Sequence, residues 1–531
     1  MKLKKVYMII SMVVLISITA CTDLYDDAYG SVVSEEFQPT SETDISALVN
    51  AAYVPWRKTM LLWNGVVRSQ ELSADQDVIP ARIGIGWIDG YIYKRWHQHT
   101  WTSNDDGVYQ GWARTFDGIN TVNRILYQID TNLITFTTDE IKNAVVAELK
   151  VLRASYYYIL VDLYGNVPIV TDYADTSLPQ QATREAVFDF IVSEITDNIG
   201  LLSEEPSGAY YGRMNKWVGH TLLAKMYLNA EVWKGSAMWA QCIEQCNEVI
   251  TSGNYALEAS QKNVFITDNE NSSELIFALP MDEKYVTDWN AFDFHMQTLA
   301  QESQLTYDFT NAPWGGVCAI PQFIDSFDPS DNRLELNYIY GAQYSSSGDL
   351  LSINYTNAVP SIDESDKDDG YRWGKFEYKI GATNRLSNDF PVFRYADILM
   401  MKAEALLRSG QPGAGDLVTQ VRMRAFDNAA YAQVTDAELA LGSSYDYGRR
   451  DSYAETHEGG SDITYGRFLD ELGWEFCQEG HRRQDLIRFG VFSSKSWFSH
   501  DASDTTKELY PIPYAILQTN SNLVQNPGYS N

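Results

Sequence analysis

The sequence predicts a mainly α-helical protein, in which tetratricopeptide-like helix pairs form a scaffold with long irregular loops and small β-hairpins. Three observations support this fold class. Several windows place apolar residues every 3.6 residues, the period of an amphipathic helix. These windows come in pairs joined by short turns, as in helix-hairpin repeats. Between about 253 and 392 this period fades, and Gly, Ser, Asn and Asp separate short strand-like pieces.

The first predicted element is a lipoprotein signal peptide at 1–20. It has a basic start followed by an apolar run of 13 residues, Val6–Ile18, which is short for a membrane span. The run leads to Ile-Thr-Ala-Cys, which has the form of a bacterial lipobox. We therefore expect cleavage before Cys21 and lipid on its side chain, which anchors by burying acyl CH₂ groups. The alternative is an ordinary signal peptide with an incidental cysteine.

Residues 21–531 are expected to form a single body with three parts. An N-terminal helical-repeat part covers about 40–252, a loop-rich part about 253–392, and C-terminal helices with a terminal strap about 393–531. An irregular insert is expected at 66–106.

Apolar stripes locate the helices of this body. One stripe runs from Trp112 to Ile129, and a second runs from Ile141 to Leu163 and ends before Gly165 and Pro168. Further helices are predicted at about 44–58, 184–202, 215–233, 237–252, 393–409, 413–425 and 465–488.

An internal echo supports repetition. "LRASYYYIL" around Ala154 resembles "LLAKMYLNA" around Ala224, at a spacing of 70 residues. This is about twice the 34-residue tetratricopeptide period. In the loop-rich part, "ELIFALP" and "GKFEYKI" are predicted strands.

The chain closes with "LYPIPYAILQTNSNLVQNPGY" at 509–529. Pro511, Pro513 and Pro527 prevent a regular helix there, yet the segment keeps many apolar residues. We therefore predict a packed, extended strap with at most a short helical turn near Tyr514–Thr519.

The net charge of −31 excludes nucleic-acid binding as a main role, because that needs clustered Lys and Arg. Aromatic residues make up 13% of the chain, with 34 Tyr and 14 Trp, more than a core requires. Some of these rings are therefore expected on a working surface.

Cys242 and Cys246 lie four apart on a helical pattern without further Cys or His nearby, so we interpret both as small core residues.

Motifs of common enzymes are missing from the sequence. It has no Gly-x-Ser-x-Gly elbow, no His-Glu-x-x-His zinc motif and no phosphate-binding loop. "DESDKDDG" at 363–370 does not fit the register of a calcium-binding EF-hand. Carboxylates do crowd 471–488, where a glycosidase pair is one interpretation. We favour helix-surface salt bridges for the i,i+3 pairs Glu479–Arg482 and Asp485–Arg488.

Four motifs in the last 140 residues resemble the SusD/RagB family of outer-membrane nutrient-binding lipoproteins of Bacteroidetes. They are "FRYADILMMKAEALLRSG", "VTQVRMRA", "FLDELGWEFCQEGHRRQDLIRFGVF" and the closing segment. Nearer the front, "WARTFDGINTVNRIL" and "LRASYYYILVDLYGNVPIV" resemble that family's first helical repeats. The resemblance covers nearly the whole chain after Cys21. Leu472 departs from it, because many relatives carry Arg at this position after the Glu.

The resemblance implies a tetratricopeptide-like scaffold whose loops, mainly 253–392, face a ligand. It implies binding of oligo- or polysaccharide without turnover or cofactor, at the cell surface, and a SusC-like TonB-dependent transporter as partner. The terminal strap would run back over the helix ending at Phe489. A peptide ligand is the first alternative, and a glycan-cleaving surface enzyme is the second.

Aromatic rings in the irregular regions are the expected ligand contacts. Sugar C–H faces stack on Trp and Tyr, while sugar hydroxyls pair with Asp, Asn and Arg. The first region supplies Asp75, Asp77, Arg82, Trp87 and Trp96. The second supplies Trp289, Asn290, Tyr307 and Trp314. For each ring the alternative is packing against the scaffold, and Trp112, on an apolar helix stripe, is expected in the core.

Overall fold

A computed structural model describes residues 41–62, 64–85, 87–288 and 291–530. The predicted signal peptide and Cys21 lie outside the described residues, so the prediction of a lipid anchor remains a prediction. No described helix is long and apolar enough to cross a membrane.

Helices dominate the N-terminal part. They are α1 (Glu42–Ala51), α2 (Val54–Leu61), α3 (Val66–Leu72), α4 (Ile92–His97), α5 (Asp106–Asp130), α6 (Asp139–Leu163), α7 (Arg184–Asn198), α8 (Lys216–Leu228), α9 (Ala230–Lys234) and α10 (Trp239–Ser252).

The loop-rich part holds short helices, and longer helices return after it. In the loop-rich part they are α11 (Phe294–Thr298), α12 (Gln304–Tyr307), α13 (Pro321–Asp325) and α14 (Arg333–Asn337). The C-terminal part has α15 (Tyr395–Arg408), α16 (Ala414–Arg422), α17 (Ala429–Ala432), α18 (Asp436–Leu439), α19 (Gly466–Phe476), α20 (Arg482–Arg488) and α21 (Tyr514–Thr519).

Consecutive long helices pack side by side as a stack. The order of neighbours is α5, α6, α7, α8, α10, α15 and α16. Side-chain caps begin several of them, because Thr138, Thr183 and Asn215 accept hydrogen bonds from the first-turn backbone N–H groups. Neighbours α10 and α15 are separated in sequence by the loop-rich part. The scaffold is therefore continuous, and the predicted fold class is confirmed.

The strands are short and pair two at a time, always antiparallel. They are β1 (Asp77–Val78), β2 (Leu275–Leu279), β3 (Cys318–Ala319), β4 (Tyr338–Ile339), β5 (Gly341–Tyr344), β6 (Leu350–Tyr355), β7 (Arg372–Trp373) and β8 (Phe390–Arg394). The pairs are β1–β3, β2–β8, β4–β7 and β5–β6. The prediction of a strand at "ELIFALP" is confirmed by β2. The prediction at "GKFEYKI" is wrong, since β7 ends before it and its rings Phe376 and Tyr378 are buried in loop conformation.

Three predicted helices are interrupted. The window 44–58 divides into α1 and α2, and Pro55 occupies the first turn of the second helix, where its missing N–H is harmless. The window 215–233 breaks at Asn229, and 465–488 breaks where Gln478 and Gly480 have φ angles of 66° and 80°. The predicted irregular insert at 66–106 contains α3 and α4.

The terminal strap, defined here as residues 509–530, packs mainly on the N-terminal helices. The Asn526 amide donates to the carbonyls of Tyr164 and Tyr510 at 2.8 and 2.7 Å, and the Tyr510 N–H donates to Leu163 at 2.7 Å. Its start also meets α20, where the Arg483 guanidinium lies 4.9 Å from the Tyr510 ring. The predicted path over the helix ending at Phe489 is therefore wrong for most of the strap, while the short turn at Tyr514–Thr519 is confirmed by α21.

Apolar residues of the scaffold behave largely as expected. Cys242 and Cys246 are buried free thiols in α10, as predicted, and Trp112 is 4% exposed on α5. Leu472 packs in an apolar cluster with residues of α15 and α16. Leu472 therefore makes a core contact at the position where many relatives carry Arg.

Candidate ligand-binding site

Trp87, Tyr93 and Trp314 form an edge-to-face group of rings, called the aromatic ledge below. The Trp87 and Trp314 ring centroids are 5.5 Å apart, and those of Trp87 and Tyr93 are 5.2 Å apart. Both Trp side chains are half-buried, and exposed Ile83 and Tyr91 lie in the same loop as Trp87. The structure thus joins one ring from each of the two predicted regions.

The loop backbone fixes the ledge. The Trp314 N–H donates to the Met296 carbonyl at 2.7 Å, beside the end of α11. The Trp87 indole N–H donates to the Asp89 carboxylate at 2.9 Å. A Cβ atom on Gly316 would lie 2.2 Å from the Trp87 ring, so only glycine at position 316 leaves room for this ring.

Arg82 holds the two loops together instead of pointing to solvent. Its Nε and Nη2 both donate to the Gly316 carbonyl at 3.1 Å, and Nη1 donates to the Asp369 carbonyl at 3.0 Å. It is 5% exposed. The predicted ligand contact is therefore a positioning residue in this structure, because its donors are used by backbone carbonyls.

Beneath the ledge lies a buried polar pair, Arg68 and Asp293. The Arg68 Cζ atom is 5.8 Å from the Trp87 ring centroid and 5.9 Å from that of Tyr93. Its Nε donates to Gln297 Oε1 at 3.1 Å, and its Nη2 is 3.8 Å from Asp293 Oδ1. Burial raises the pKa of Asp293 above its ordinary value.

This pair has unused hydrogen-bonding capacity. In the part of the chain that the structure describes, Arg68 Nη1 and Nη2 and Asp293 Oδ2 have no hydrogen-bond partner. Buried polar atoms are almost always paired, so such a group beneath half-buried rings is unusual. Two donors and an acceptor together can satisfy a ligand that both accepts and donates hydrogen bonds, as a hydroxyl does.

Asp75, Asp77 and Trp96 do not reach this surface. All three are fully buried. Asp75 accepts from Arg482 at 2.7 Å, and Asp77 accepts from the Trp373 indole at 2.7 Å. Their burial does not support the prediction that they contact a ligand, because a ligand would have to open the core.

The remaining predicted residues are placed differently. Tyr307 is half-buried and stacks on Phe309 at 5.0 Å, and burial raises its pKa to about 12. Its described ring partners are Phe309 and Tyr378 rather than the ledge. Trp289 and Asn290 lie outside the described residues and remain predictions. They precede Asp293 closely in the sequence.

Sequence reasoning missed Arg68, Tyr93 and Asp293. The one signal for Arg68 is a charged residue inside "VVRSQEL", a short segment whose helix α3 is buried along its whole length. Nothing in the sequence links position 68 to position 293, because their proximity follows from packing of α3 against the loop before α11.

The carboxylates of 471–488 are occupied by ion pairs in the interior. Glu475 lies 2.8 Å from both Arg394 and Arg424, and Glu471 lies 2.8 Å from Arg333. Burial alone would raise the pKa of Glu471, but Arg333, Arg467 and Arg422 lower it to about 2. The charges of 471–488 therefore have a structural role, but the prediction that their salt bridges lie on a helix surface is wrong.

The partners of these charges also differ from the prediction. Glu479 pairs with Arg394 at 2.8 Å, and Arg482 pairs with Asp75, so the predicted Glu479–Arg482 pair is wrong. The Asp485–Arg488 pair is confirmed at 2.7 Å, although it is buried.

A carboxyl pair, Glu71 and Asp77, lies deeper still. Burial raises the pKa of Glu71 to about 7, and burial together with the Glu71 charge raises that of Asp77. Gly480 N–H donates to Glu71 at 2.5 Å. Both side chains are fully buried, so no substrate reaches them in this structure. Within the described ranges, no group of three or more His, Cys, Asp or Glu could hold a metal ion.

Comparison with known proteins gives a consistent picture. A family model described as "SusD family" matches residues 273–529, and one described as "Starch-binding associating with outer membrane" matches residues 80–228. The chain is similar to the starch-binding protein SusD of Bacteroides thetaiotaomicron, with 25% identity over 434 residues and 72% of each protein covered. It is 23% identical over 547 residues to the SusD-like protein P2 of Formosa agariphila, covering 99% of this chain and 100% of that one.

Solved structures share the fold. A SusD superfamily protein from Parabacteroides distasonis has a TM-score of 0.72 at 20% identity, covering 92% of this chain and 100% of that chain. Surface glycan-binding protein A from Bacteroides thetaiotaomicron, in complex with laminarihexaose, has a TM-score of 0.69 at 18% identity with the same coverage.

Proposed function

Because the chain belongs to the SusD family, we propose that it is a surface-exposed outer-membrane lipoprotein that binds an oligo- or polysaccharide and delivers it to a SusC-like TonB-dependent transporter. Lipid on Cys21 would be its anchor. The observation that carries the binding role is the aromatic ledge, with the buried Arg68–Asp293 pair beneath it.

A glycan matches this combination of groups. Its C–H faces can stack on Trp87 and Trp314, which are half-buried and held by their loops. Arg68 and Asp293 are buried beneath these rings, so a hydroxyl gains their free hydrogen-bonding atoms only when the Trp87 side chain moves aside. The relatives named for starch binding and the relative in complex with laminarihexaose support the same ligand class.

Binding without turnover is the activity we propose. Cleavage of a glycosidic bond needs two accessible carboxyl groups that flank the bond. Glu471 and Glu475 form buried ion pairs with arginines, and Glu71 and Asp77 are buried in the core. Asp293 stands beneath the ledge paired with Arg68, without a second described carboxylate among its hydrogen-bond or ion-pair partners.

Isothermal titration against a polysaccharide panel, including starch and laminarin, tests the proposal. We expect the double variant Trp87→Ala and Trp314→Ala to lose about tenfold affinity per ring, equivalent to about 1.4 kcal/mol each. Tyr453→Ala, at a ring that is 72% exposed, is the control and should bind normally.

Any of three results would overturn the proposal. Glycan binding that survives simultaneous alanine substitution of Trp87, Trp289 and Trp314 would remove the ledge as the site. Binding of unglycosylated peptides, with no polysaccharide of the panel bound, would replace the ligand class. Release of product from a polysaccharide by the purified protein would replace binding by catalysis.

A further inference from the structure

A groove separate from the aromatic ledge lies between α5, the loop at 168–180 and the terminal strap; we call it the strap groove. It has a volume of about 660 Å³. Its apolar lining comes from all three walls, with Trp112 and Phe116 on α5, Ile169, Val170, Leu178 and two prolines in the loop, and Ile516 and Leu523 in the strap. This volume is within the range of sites that bind a specific partner group.

The walls of the strap groove are fixed by hydrogen bonds. The Val170 N–H donates to the Tyr157 hydroxyl at 2.7 Å, and the Asn123 amide donates to the Val170 carbonyl at 2.9 Å. On the other side, the Asn520 and Asn522 amides donate to the carbonyls of Pro179 and Leu178 at 2.9 and 2.8 Å. The groove is therefore a preorganised feature, which lowers the ordering cost of binding.

Apolar side chains continue outside the groove. Leu178 is 50% exposed and Val524 is 71% exposed, and Val524 is tied to the loop by a hydrogen bond from its N–H to Gln181 at 2.8 Å. Tyr173, next to the groove residue Asp172, is 48% exposed and lies 5.7 Å from the Tyr127 ring. Exposed apolar and Tyr side chains grouped in this way mark protein-contact surfaces.

The charge of the groove restricts its occupant. Its described lining includes Asp172 and Asp175 but no Lys, Arg or His. Each of these two carboxylates accepts one local backbone N–H, at 2.8 Å from Ala174 and 2.9 Å from Ser177, through one oxygen. A negative rim around an apolar centre complements apolar side chains flanked by positive charges.

Two possible occupants come from this protein itself, and neither is complementary to the negative charge of the groove. The segment 22–40 of this chain has five acidic residues and no Lys or Arg. A second copy of the chain carries the same net charge of −31 and is repelled. A glycan also fits less well, because Trp112 is 4% exposed and Phe116 is half-buried, so the described lining offers no exposed Trp or Tyr face for stacking.

We propose that the strap groove docks a segment of a partner protein that presents apolar side chains between basic residues. This surface is independent of the glycan role, since none of its lining residues belongs to the aromatic ledge. The apolar side chains would enter between Phe116, Leu178 and Leu523, and the basic residues would meet Asp172 and Asp175.

The test uses the full chain and fluorescence anisotropy with short labelled peptides that carry Leu or Phe at the centre and Lys on both flanks. Peptides with Glu flanks are the matched probes. We expect the Lys-flanked set to bind, the Glu-flanked set to bind at least about tenfold more weakly, and Asp175→Lys to weaken the Lys-flanked set by a similar factor. Asp268→Lys is the control, because this exposed residue makes the same charge change elsewhere.

A steric variant gives a second readout. Ser177→Trp places a ring at the groove lining and should abolish peptide binding, whereas Trp87→Ala with Trp314→Ala should leave it unchanged. The proposal is overturned if no Lys-flanked peptide binds, if Asp175→Lys and Asp268→Lys act equally, or if oligosaccharides displace the peptides. Glycan binding by the ledge variant is measured in a separate assay. A negative glycan result therefore does not affect the interpretation of peptide binding at the strap groove.

Discussion

Arg482 donates two hydrogen bonds to Asp75, at 2.7 and 2.9 Å, across 407 residues of chain. Both side chains are buried, and the Tyr447 hydroxyl also donates to Asp75, at 2.8 Å. The pair joins the segment before β1 to the last long helical region. It belongs to an interior rich in paired charges that holds the loop-rich part against the scaffold.

Asp75→Ala should therefore destabilise the protein without acting on the ligand directly. Removal of one partner leaves the Arg482 charge buried and unpaired, so we expect a loss of about 3–5 kcal/mol in the free energy of unfolding. Urea denaturation measures this loss, with Asp268→Ala as the exposed control that should change nothing. A loss below about 1 kcal/mol would show that Arg482 finds another partner.

Arg68→Met should weaken glycan binding and also lower stability, because buried Asp293 and Gln297 both lose their contact with the guanidinium. The variant keeps most of the apolar stem but removes a guanidinium whose Nη1 and Nη2 have no described hydrogen-bond partner. A hydrogen bond to a charged group contributes about 1.5–3 kcal/mol, so affinity should fall at least about tenfold. Titration and thermal unfolding together check this, and equal affinity would exclude Arg68 from the site. Exposed Arg124→Met is the matched control.

Asn526→Ala should loosen the terminal strap. It removes the amide hydrogen bonds to the carbonyls of Tyr164 and Tyr510 and leaves the Tyr510 carbonyl without a described partner, at an expected cost of about 1–3 kcal/mol. The Tyr164 carbonyl keeps the Asn166 N–H as a donor. Hydrogen exchange should become faster in 509–530 and at the end of α6. Asn522→Ala, which loses one bond at an exposed position, should have a smaller effect. If the two variants exchange alike, the Asn526 contacts do not hold the strap.

His500→Phe should reduce the loss of stability in acid. Burial lowers the pKa of His500 well below its ordinary value, and the neighbouring His99, His97 and Arg449 lower it further. Its ring stacks on Trp497 at 3.8 Å, and neither ring nitrogen has a described hydrogen-bond partner, so Phe fits chemically.

The sign of this effect follows from proton uptake. In the unfolded chain a His binds a proton as the pH falls below about 6.5, whereas folded His500 does not, so stability falls toward acid. Removing one such group should make the slope shallower by about 1.4 kcal/mol per pH unit between about pH 6 and 4. Urea denaturation across this range measures the slope. The exposed His457→Phe is the comparison, and an equal change in both variants would contradict the assignment.

The long amphipathic helices were predictable because each buries one face, which leaves a 3.6-residue period in the sequence. Thus α6 and α10 begin and end within two residues of their predicted bounds, whereas α5 begins six residues before its predicted stripe. The interruptions at Asn229 and Gln478 were not predictable, because the apolar period continues through both breaks. A positive φ angle at Gln478 is dictated by the fold around it rather than by the residue type.

The candidate site was predictable only in part. The rings Trp87 and Trp314 stood out because they lie in irregular segments, but Asp75 and Trp96 lie in similar segments and are core. Periodicity cannot separate these cases, since burial of a loop residue depends on what packs over it. The same reason explains the charges, because Glu479 finds its partner at Arg394 and not at the nearby Arg482.

The position of the terminal strap bears on the order in which the protein can be completed. A polypeptide is made from its N-terminus, so the residues of α5 and α6 are present before Tyr510 and Asn526 are added. Until those last residues arrive, the carbonyls of Leu163 and Tyr164 lack their closing partners. The N-terminal helices therefore gain these contacts only when the last residues of the chain are present. A chain truncated shortly before the terminal strap would lack the hydrogen bonds that close the end of α6.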